Sequence, residues 1–195
     1  MLSDYNLPIY EEAKVRHWVG NGARVLVERG LSGNTKINHA FSQEEVDIAL
    51  DKFLICYRTL ETKSTVLYDG VAATLKTLKA HGFTLALVTN KPSEFIEPIL
   101  TSFSLLPLFS ITIGGDTLLE KKPSALPLMH ACEKLGVLPS ECVMVGDSKN
   151  DILAAKAANI KSIGLTYGYN YGESIATYQP DWVFDSFRDI LSLRA

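Results

Sequence analysis

Short apolar runs alternate with helical segments from about Thr65 to the C-terminus of this 195-residue chain. Apolar runs of strand length occupy residues 83–89, 109–113, 142–145, 161–165 and 182–184. Amphipathic segments precede the first four of these runs, and they begin at Val71, Ser93, Ala125 and Asp151. Strands that are joined by helical crossovers pair in parallel, with helices packed on the faces of the sheet. The pattern therefore predicts an α/β fold for this part of the chain.

The first 64 residues follow a different pattern, which is helical and carries no convincing strand. Ser42 and Glu45 have the spacing of a capping box, which marks the start of a helix. Behind them, apolar residues recur at helical spacing from Val46 to Tyr57. We therefore expect two parts, a helical segment over residues 1–64 and an α/β core over residues 65–195.

Composition and charge narrow the class of protein. Hydrophobic residues make up 47% of the chain and charged residues 21%, which is usual for a globular protein and argues against disorder. The net charge of −3 leaves no basic excess, so nucleic acids and anionic membranes are disfavoured as partners. The sequence does not indicate the oligomeric state.

The cysteines and the apolar stretches indicate the compartment. Cys56, Cys132 and Cys142 lack C-x-x-C spacing, which argues against a disulfide framework and a zinc site. Residues 1–14 lack the apolar centre of a signal peptide. The uncharged stretch 98–115 is interrupted by prolines and hydroxyl residues, which argues against a membrane-spanning helix. We expect a reduced, cytoplasmic location.

Thr89 and Asn90 follow the first predicted strand of the core, where parallel-sheet proteins bind their ligands. A hydroxyl beside free backbone N–H groups, just before a helix, is suited to hold an anion. The same residues also suit an ordinary turn without a ligand, and this pair alone favours the turn.

Asp147 follows the third predicted strand, and Asp151 lies one helical turn further on. Two carboxylates at this spacing can converge on one hard cation, and Mg²⁺ commonly keeps waters and a substrate phosphate among its ligands. Gly146 favours a ligand site because glycine lets a ligand approach the backbone closely. The alternative is that Asp147 or Ser148 only caps the following helix.

Lys121 and Lys122 precede Pro123 in a predicted loop between these two strand ends. A lysine there would supply local positive charge that the overall charge balance lacks. The alternative is a pair of solvated surface charges.

In chain order, Thr89, the Lys122-Pro pair and Gly-Asp147-x-x-x-Asp151 resemble the motifs of the haloacid dehalogenase (HAD) superfamily of phosphotransferases. The resemblance implies a Rossmann-like parallel sheet and Mg²⁺-dependent phosphoryl transfer, with Thr89 and Lys122 in the catalytic site. It implies that Thr89 and Asn90 hold the phosphate oxygens and that Asp147 binds the metal. Asp151 would support the metal site or orient Lys122.

Residues 18–26, 88–92 and 165–172 also resemble the bacterial phosphoglycolate phosphatases within that superfamily. The resemblance implies a small phosphorylated substrate, 2-phosphoglycolate, which is hydrolysed to glycolate and phosphate. It also implies that the helical segment is a cap over the site, with His17, Asn21 and Arg24 as candidates for substrate contact. A surface or turn role for these three residues is at least equally compatible with the sequence.

The first motif of the superfamily, Asp-x-Asp-Gly-Thr, does not occur in the sequence. In the family its first Asp is the nucleophile, and its strand lies in the centre of the sheet. The resemblance therefore implies that the sequence begins inside the cap, that two strand edges lack partners, and that the chain is inactive or severely impaired. The nearest imitation, residues 66–71, has Leu67 at the nucleophile position and is better explained as a turn.

Three functional hypotheses follow. The first is a phosphoglycolate phosphatase-like hydrolase in a shortened form, from a misplaced start or a truncated gene. The second is a non-catalytic module that keeps a phosphate and Mg²⁺ pocket or binds a partner. The third, a nucleotide-binding α/β domain, is disfavoured because neither G-x-G-x-x-G nor G-x-x-x-x-G-K-[ST] occurs.

Overall fold

The computed structural model describes residues 1–193, apart from the side chains of residues 61–64. Within this range the chain forms seven α-helices and five β-strands, joined by turns and short 3₁₀ helices. In chain order these elements are α1 (Glu12–Arg16), α2 (Ala23–Ser32), α3 (Gln43–Ser64), α4 (Val71–Ala80), β1 (Leu85–Val88), α5 (Ile96–Ser102), β2 (Phe109–Ile113), α6 (Leu126–Leu135), β3 (Val143–Gly146), α7 (Lys149–Ala157), β4 (Lys161–Leu165) and β5 (Trp182–Phe184).

The strands pair in parallel, as the sequence predicts for an α/β fold, and they form two sheets. β1 pairs with β2 in one sheet, and β4 lies between β3 and β5 in the other. Within the described chain, β1 and β3 therefore each have a strand partner on one side. The break between the sheets falls between the strands that end next to Thr89 and Asp147. The family resemblance places the first strand of the superfamily at this position.

Helices α6 and α7 hold the two sheets side by side. Leu128 and Cys132 on α6 share one buried cluster with Ala154 and Ala155 on α7, and Val88 of β1 and Met144 of β3 pack against this cluster. The two alanines are fully buried, and their small side chains let α7 lie close to β3 and β4. Packing on these helices thus brings the ends of β1 and β3 to the same region.

Helices α2 and α3 of the helical segment have a hydrophobic cluster of their own, formed by Val27, Leu31, Val46 and Ala49. The predicted capping box is present at the start of α3. The backbone N–H of Ser42 donates to Glu45 Oε2 at 2.8 Å, and the Glu45 N–H donates to Ser42 Oγ at 3.2 Å. The helical segment therefore packs as a unit, while the division at residue 64 stays a prediction.

Most of the remaining expectations for the core agree with the structure. The bounds of α4, β2, β4 and β5 are those that the sequence predicts. Residues 65–68 have no regular secondary structure and residues 69–70 form a turn before α4, so the turn interpretation of this segment is confirmed. In the described part of the chain, no helix is both long and apolar enough to cross a membrane.

Candidate functional site

Thr89 lies at the end of β1, as predicted, and its side chain organises the turn that follows. Its backbone N–H donates to the Ile113 carbonyl at 2.9 Å, which extends the pairing with β2. Its Oγ1 accepts a hydrogen bond from the Lys91 N–H at 3.1 Å. The hydroxyl hydrogen of Thr89 therefore remains available to donate to a ligand.

Lys122 is buried, with 7% of its surface exposed, and it joins the ends of the two sheets. Its Nζ lies 2.7 Å from Asp151 Oδ1, at the start of α7, and donates to the Val88 carbonyl of β1 at 2.5 Å. The alternative of a solvated surface charge is therefore wrong for Lys122. A buried ammonium group with a carboxylate partner is fixed in position and supplies positive charge beside Thr89.

Asp151 uses both of its carboxylate oxygens within the protein. Oδ1 pairs with Lys122, and Oδ2 accepts a hydrogen bond from the Ser148 N–H at 3.1 Å. Ser148 in turn caps α7, because its Oγ accepts from the Asn150 N–H at 3.3 Å. The capping alternative is thus confirmed for Ser148, and the contacts of Asp151 are those of a residue that orients Lys122.

Asp147 lies between β3 and α7, and its carboxyl group rests on Gly168. Gly168 has a φ of +107°, and a Cβ at this residue would overlap the Asp147 carboxyl group. Burial, with a contribution from the nearby charge of Asp151, raises the pKa of Asp147 to about 6. Burial and the charge of Asp147 likewise raise the pKa of Tyr167 to about 12.

The chemistry of Asp147 fits a role in holding Mg²⁺. Its carboxylate is largely desolvated and forms no ion pair within 4.0 Å among the described residues, so a cation would stabilise its charged form. Mg²⁺ is usually bound by one or two carboxylates, waters and substrate phosphate. No group of three or more His, Cys, Asp or Glu residues is placed to hold a metal in the described part of the chain. Other ligands would have to come from solvent and substrate.

The turn at Gly20 and Asn21 docks the helical segment onto the core. The Gly20 carbonyl accepts hydrogen bonds from Asn90 Nδ2 at 3.0 Å and from Asn150 Nδ2 at 3.1 Å. The Tyr171 hydroxyl donates to Asn21 Oδ1 at 2.5 Å. Three core elements therefore converge on one turn, which places Asn21 above the strand ends.

A cavity of about 520 Å³ lies between this turn and the core. Asn21, Val25 and Arg29 line it from the helical segment, and Lys121 and Lys122 line it from the core. The helical spacing of Val25 and Arg29 places them on the same face of α2. Arg29 and Lys122 are already engaged by protein acceptors, so Lys121 is the cationic side chain that the cavity offers to a ligand.

The structure does not bring Arg24 to this cavity. Its guanidinium group lies 2.5 Å from Asp47 Oδ1 and donates to Gln43 Oε1 at 2.8 Å, both on α3. Arg24 therefore joins α2 to α3 because it lies on a different face of α2 from Arg29. His17 is packed against Gly172 in the loop after β4. Substrate contact by either residue gains no support from these positions.

Comparison with known proteins identifies the family. Residues 4–165 match the haloacid dehalogenase-like hydrolase family. The chain belongs to this family. It is 52% identical over 190 residues to a phosphoglycolate phosphatase from Colwellia psychrerythraea, an alignment that covers 97% of this chain and 84% of that protein. It is 44% identical over 199 residues to a phosphoglycolate phosphatase from Salmonella typhimurium, with 95% and 79% covered.

A solved structure shows the same haloacid dehalogenase-like fold. The crystal structure of a predicted phosphoglycolate phosphatase from Haemophilus somnus has a TM-score of 0.91 and 43% sequence identity to this chain. The match covers 98% of this chain and 85% of that one. The predicted HAD-like α/β fold is therefore confirmed.

Several residues of this haloacid dehalogenase-like site are not recognised as site residues from sequence alone. Arg29, Asn150 and Tyr171 contact the docked turn or line the cavity, but no local motif of functional residues marks them. The polar segment 167–172 is the available signal for Tyr171.

Among the described residues, Asn90 Oδ1 and the Tyr167 hydroxyl are buried without a hydrogen-bond partner. Unpaired buried polar atoms are rare in native proteins and are found where a ligand or further group binds.

Proposed function

We propose that this chain is a phosphoglycolate phosphatase-like, Mg²⁺-dependent phosphomonoester hydrolase that acts on 2-phosphoglycolate and is represented here in a form without the nucleophile. The observation that carries the proposal is the contact of Lys122 with both Asp151 and the Val88 carbonyl at the ends of the two sheets. A fixed, buried cation beside a strand-end hydroxyl is suited to hold a phosphate group.

In this proposal the phosphate oxygens accept hydrogen bonds from the Thr89 hydroxyl and the Asn90 backbone N–H. Lys122 offsets the negative charge that develops on the phosphate during transfer. Mg²⁺, when bound at Asp147, would neutralise further charge on the phosphate oxygens. Asp151 positions Lys122 and so acts on the phosphate indirectly.

We further propose that residues 1–64 are a cap and that residues 65–195 are the catalytic core. The contacts of Asn90, Asn150 and Tyr171 with the turn at Gly20 and Asn21 support this division, because they hold helices over the strand ends. A cap excludes water and contributes to substrate selection. The names of the relatives support 2-phosphoglycolate as the substrate.

The chain carries no Asp-x-Asp sequence, so the aspartate that attacks phosphorus in the family has no counterpart in it. The edges of β1 and β3 and the unpaired Asn90 Oδ1 support a position for one more strand between the two sheets. Covalent catalysis needs an attacking atom, and we therefore propose that the chain as given binds substrate and turns it over slowly or not at all.

A phosphate-release assay tests this proposal. The chain is compared with a version whose N-terminus is extended by an apolar strand that ends in Asp-x-Asp-Gly-Thr. We expect Mg²⁺-dependent release from 2-phosphoglycolate only in the extended version, and loss of that release in its Asp147→Asn variant. Release by the chain as given at the rate of the extended version would contradict the proposed nucleophile. No release by a folded, extended version would favour the non-catalytic binding module.

A further inference from the structure

We propose that Lys121 and Asn21 form a subsite for a carboxylate group, so that the site selects phosphate monoesters that also carry a carboxylate. This inference rests on the proposed function, because it takes the substrate phosphate to lie at Lys122. It goes further in naming the residues that distinguish such a substrate from a phosphate monoester of the same size without a carboxylate.

Lys121 and Lys122 are neighbours in sequence, but their ammonium groups have different surroundings. Lys122 turns into the strand ends and is bonded to Asp151 and the Val88 carbonyl. Lys121 turns towards the helical segment, where its Nζ lies 3.0 Å from the position that a Cβ at Gly22 would take. Both lysines line the same cavity.

The Lys121 ammonium has no carboxylate within ion-pair distance among the residues that the structure describes. It is half-buried, and this burial lowers its pKa from the usual lysine value, while the charge of Glu28 acts in the opposite direction. A partly desolvated cation without a carboxylate in direct contact is costly, and an anionic group of a ligand would offset that cost. Glu120 also lines the cavity, but it lies exposed at the rim.

Asn21 is held in one amide orientation by two donors. Its Oδ1 accepts from the Tyr171 hydroxyl at 2.5 Å and from Arg29 Nη1 at 3.1 Å. Arg29 is itself held by the Trp18 carbonyl, to which Nη1 donates at 2.7 Å. Because the oxygen of Asn21 is occupied, its Nδ2 donors remain for a ligand. A carboxylate accepts hydrogen bonds and cannot donate them, so it matches an ammonium and an amide N–H₂.

The test compares three ligands by calorimetry on the full chain, with and without Mg²⁺. Inorganic phosphate reports the phosphate site, ethyl phosphate adds two carbons without a carboxylate, and 2-phosphoglycolate adds the carboxylate. We expect the chain to bind 2-phosphoglycolate more tightly than ethyl phosphate. Lys121→Met should lower the affinity for 2-phosphoglycolate about tenfold, which is the effect of losing one charge-assisted hydrogen bond. The affinities for the other two ligands should stay within about twofold of wild type.

Two further variants separate recognition from general effects. Lys134→Met removes the same charge from an exposed position on α6 and should leave all three affinities unchanged. Tyr171→Phe removes a donor that orients Asn21, so it should lower the preference for 2-phosphoglycolate over ethyl phosphate without changing the affinity for ethyl phosphate. Tyr171 would then be a positioning residue.

Three other outcomes would contradict the carboxylate subsite. Equal affinity of the chain for 2-phosphoglycolate and ethyl phosphate would contradict the subsite while leaving the phosphate site intact. An equal loss of affinity for all three ligands in the Lys121→Met variant would show that Lys121 supports the phosphate site or the fold instead. A chain that binds none of the three ligands would contradict the proposed function itself, and the subsite with it.

Discussion

Lys122 Nζ lies 2.7 Å from Asp151 Oδ1, and both side chains are less than one tenth exposed. This ion pair spans the break between the two sheets, because Lys122 also donates to the Val88 carbonyl on β1 while Asp151 lies in the first turn of α7, the helix that follows β3. The pair therefore ties the sheets together at their carboxyl ends. In the proposed function it also fixes a positive charge where a phosphate would bind.

Removing one partner of this pair should destabilise the fold. Lys122→Met leaves Asp151 as a buried, uncompensated charge, and we expect a loss of roughly 3–5 kcal/mol in the free energy of unfolding. Urea denaturation at pH 7 measures this loss. Lys134→Met serves as the exposed control and should change stability by less than about 0.5 kcal/mol. An unchanged urea midpoint for Lys122→Met would contradict the structural role of the pair.

A double-mutant cycle separates the pair from its surroundings. Asp151→Asn keeps an oxygen that can accept from the Ser148 N–H, so its main effect is the loss of charge. We expect the double variant Lys122→Met with Asp151→Asn to be more stable than the sum of the two single losses predicts, since neither buried charge is then left alone. Strict additivity in the urea measurements would show that the two side chains do not interact.

Asp147 should make the metal-free protein less stable as the pH rises. Its pKa is raised to about 6, mainly by burial, so the folded state holds this proton more tightly than the unfolded state does. The stabilising contribution is complete below about pH 4 and is lost as the pH rises through about 6. Asp147→Asn should therefore be more stable than wild type at pH 7.5, by on the order of 1–3 kcal/mol, and similar to wild type at pH 4.

Thermal unfolding in a chelating buffer, repeated with excess Mg²⁺, tests this expectation. Mg²⁺ should raise the melting temperature of wild type and leave that of Asp147→Asn unchanged, because only the native carboxylate can hold the ion. An equal Mg²⁺ effect on both proteins would show that the ion binds elsewhere.

Asn150 should control how firmly the helical segment docks on the core. Asn150→Asp replaces an amide N–H that donates to the Gly20 carbonyl with an oxygen that repels it. An acidic residue remains favourable at this position in the first turn of α7. We expect faster amide hydrogen exchange in the peptide that covers residues 18–26, with little change in α6. Asn159→Asp, at an exposed residue two positions after the end of α7, is the charge-matched control. Equal exchange in both variants would argue against the docking role.

Gly168 should be needed for the position of the Asp147 carboxyl group. Gly168→Ala places a methyl group where that carboxyl group lies and also strains a backbone with φ of +107°. Gly82→Ala is the matched control, because Gly82 has φ of +87° but no atom within 4 Å of an added Cβ. In both variants, backbone strain should lower the free energy of unfolding by about 1–3 kcal/mol, but only Gly168→Ala should also lose Mg²⁺ binding. Calorimetric titration with Mg²⁺ distinguishes them, and equal retention of binding would refute the contact.

The sequence predicts the elements of the core well where apolar runs end at strong breakers. β2 ends before Gly114-Gly115, and α4 ends before His81-Gly82, so their bounds are clear. α7 begins at Lys149, two residues earlier than predicted, because Ser148 caps it. The helical spacing of the sequence continues over residues 11–19, but α1 covers only Glu12–Arg16.

The candidate site is predictable only in part. The order of the motifs along the chain, together with the resemblance to the superfamily, indicates Thr89, Lys122, Asp147 and Asp151 as candidates. Contacts between distant residues carry no such signal: Asn150 meets the Gly20 carbonyl across 130 positions of sequence. The choice between Arg24 and Arg29 depends on which face of α2 meets the core, and this is fixed by tertiary packing.

Calorimetric titration of the purified chain with 2-phosphoglycolate, with and without Mg²⁺, tests the proposed phosphate site. We expect saturable binding that requires Mg²⁺ and is lost in both Lys122→Met and Asp147→Asn, while Lys134→Met binds like wild type. Binding of equal affinity in all four proteins, or no binding by a folded wild-type chain, would contradict a phosphate site at the ends of the two sheets.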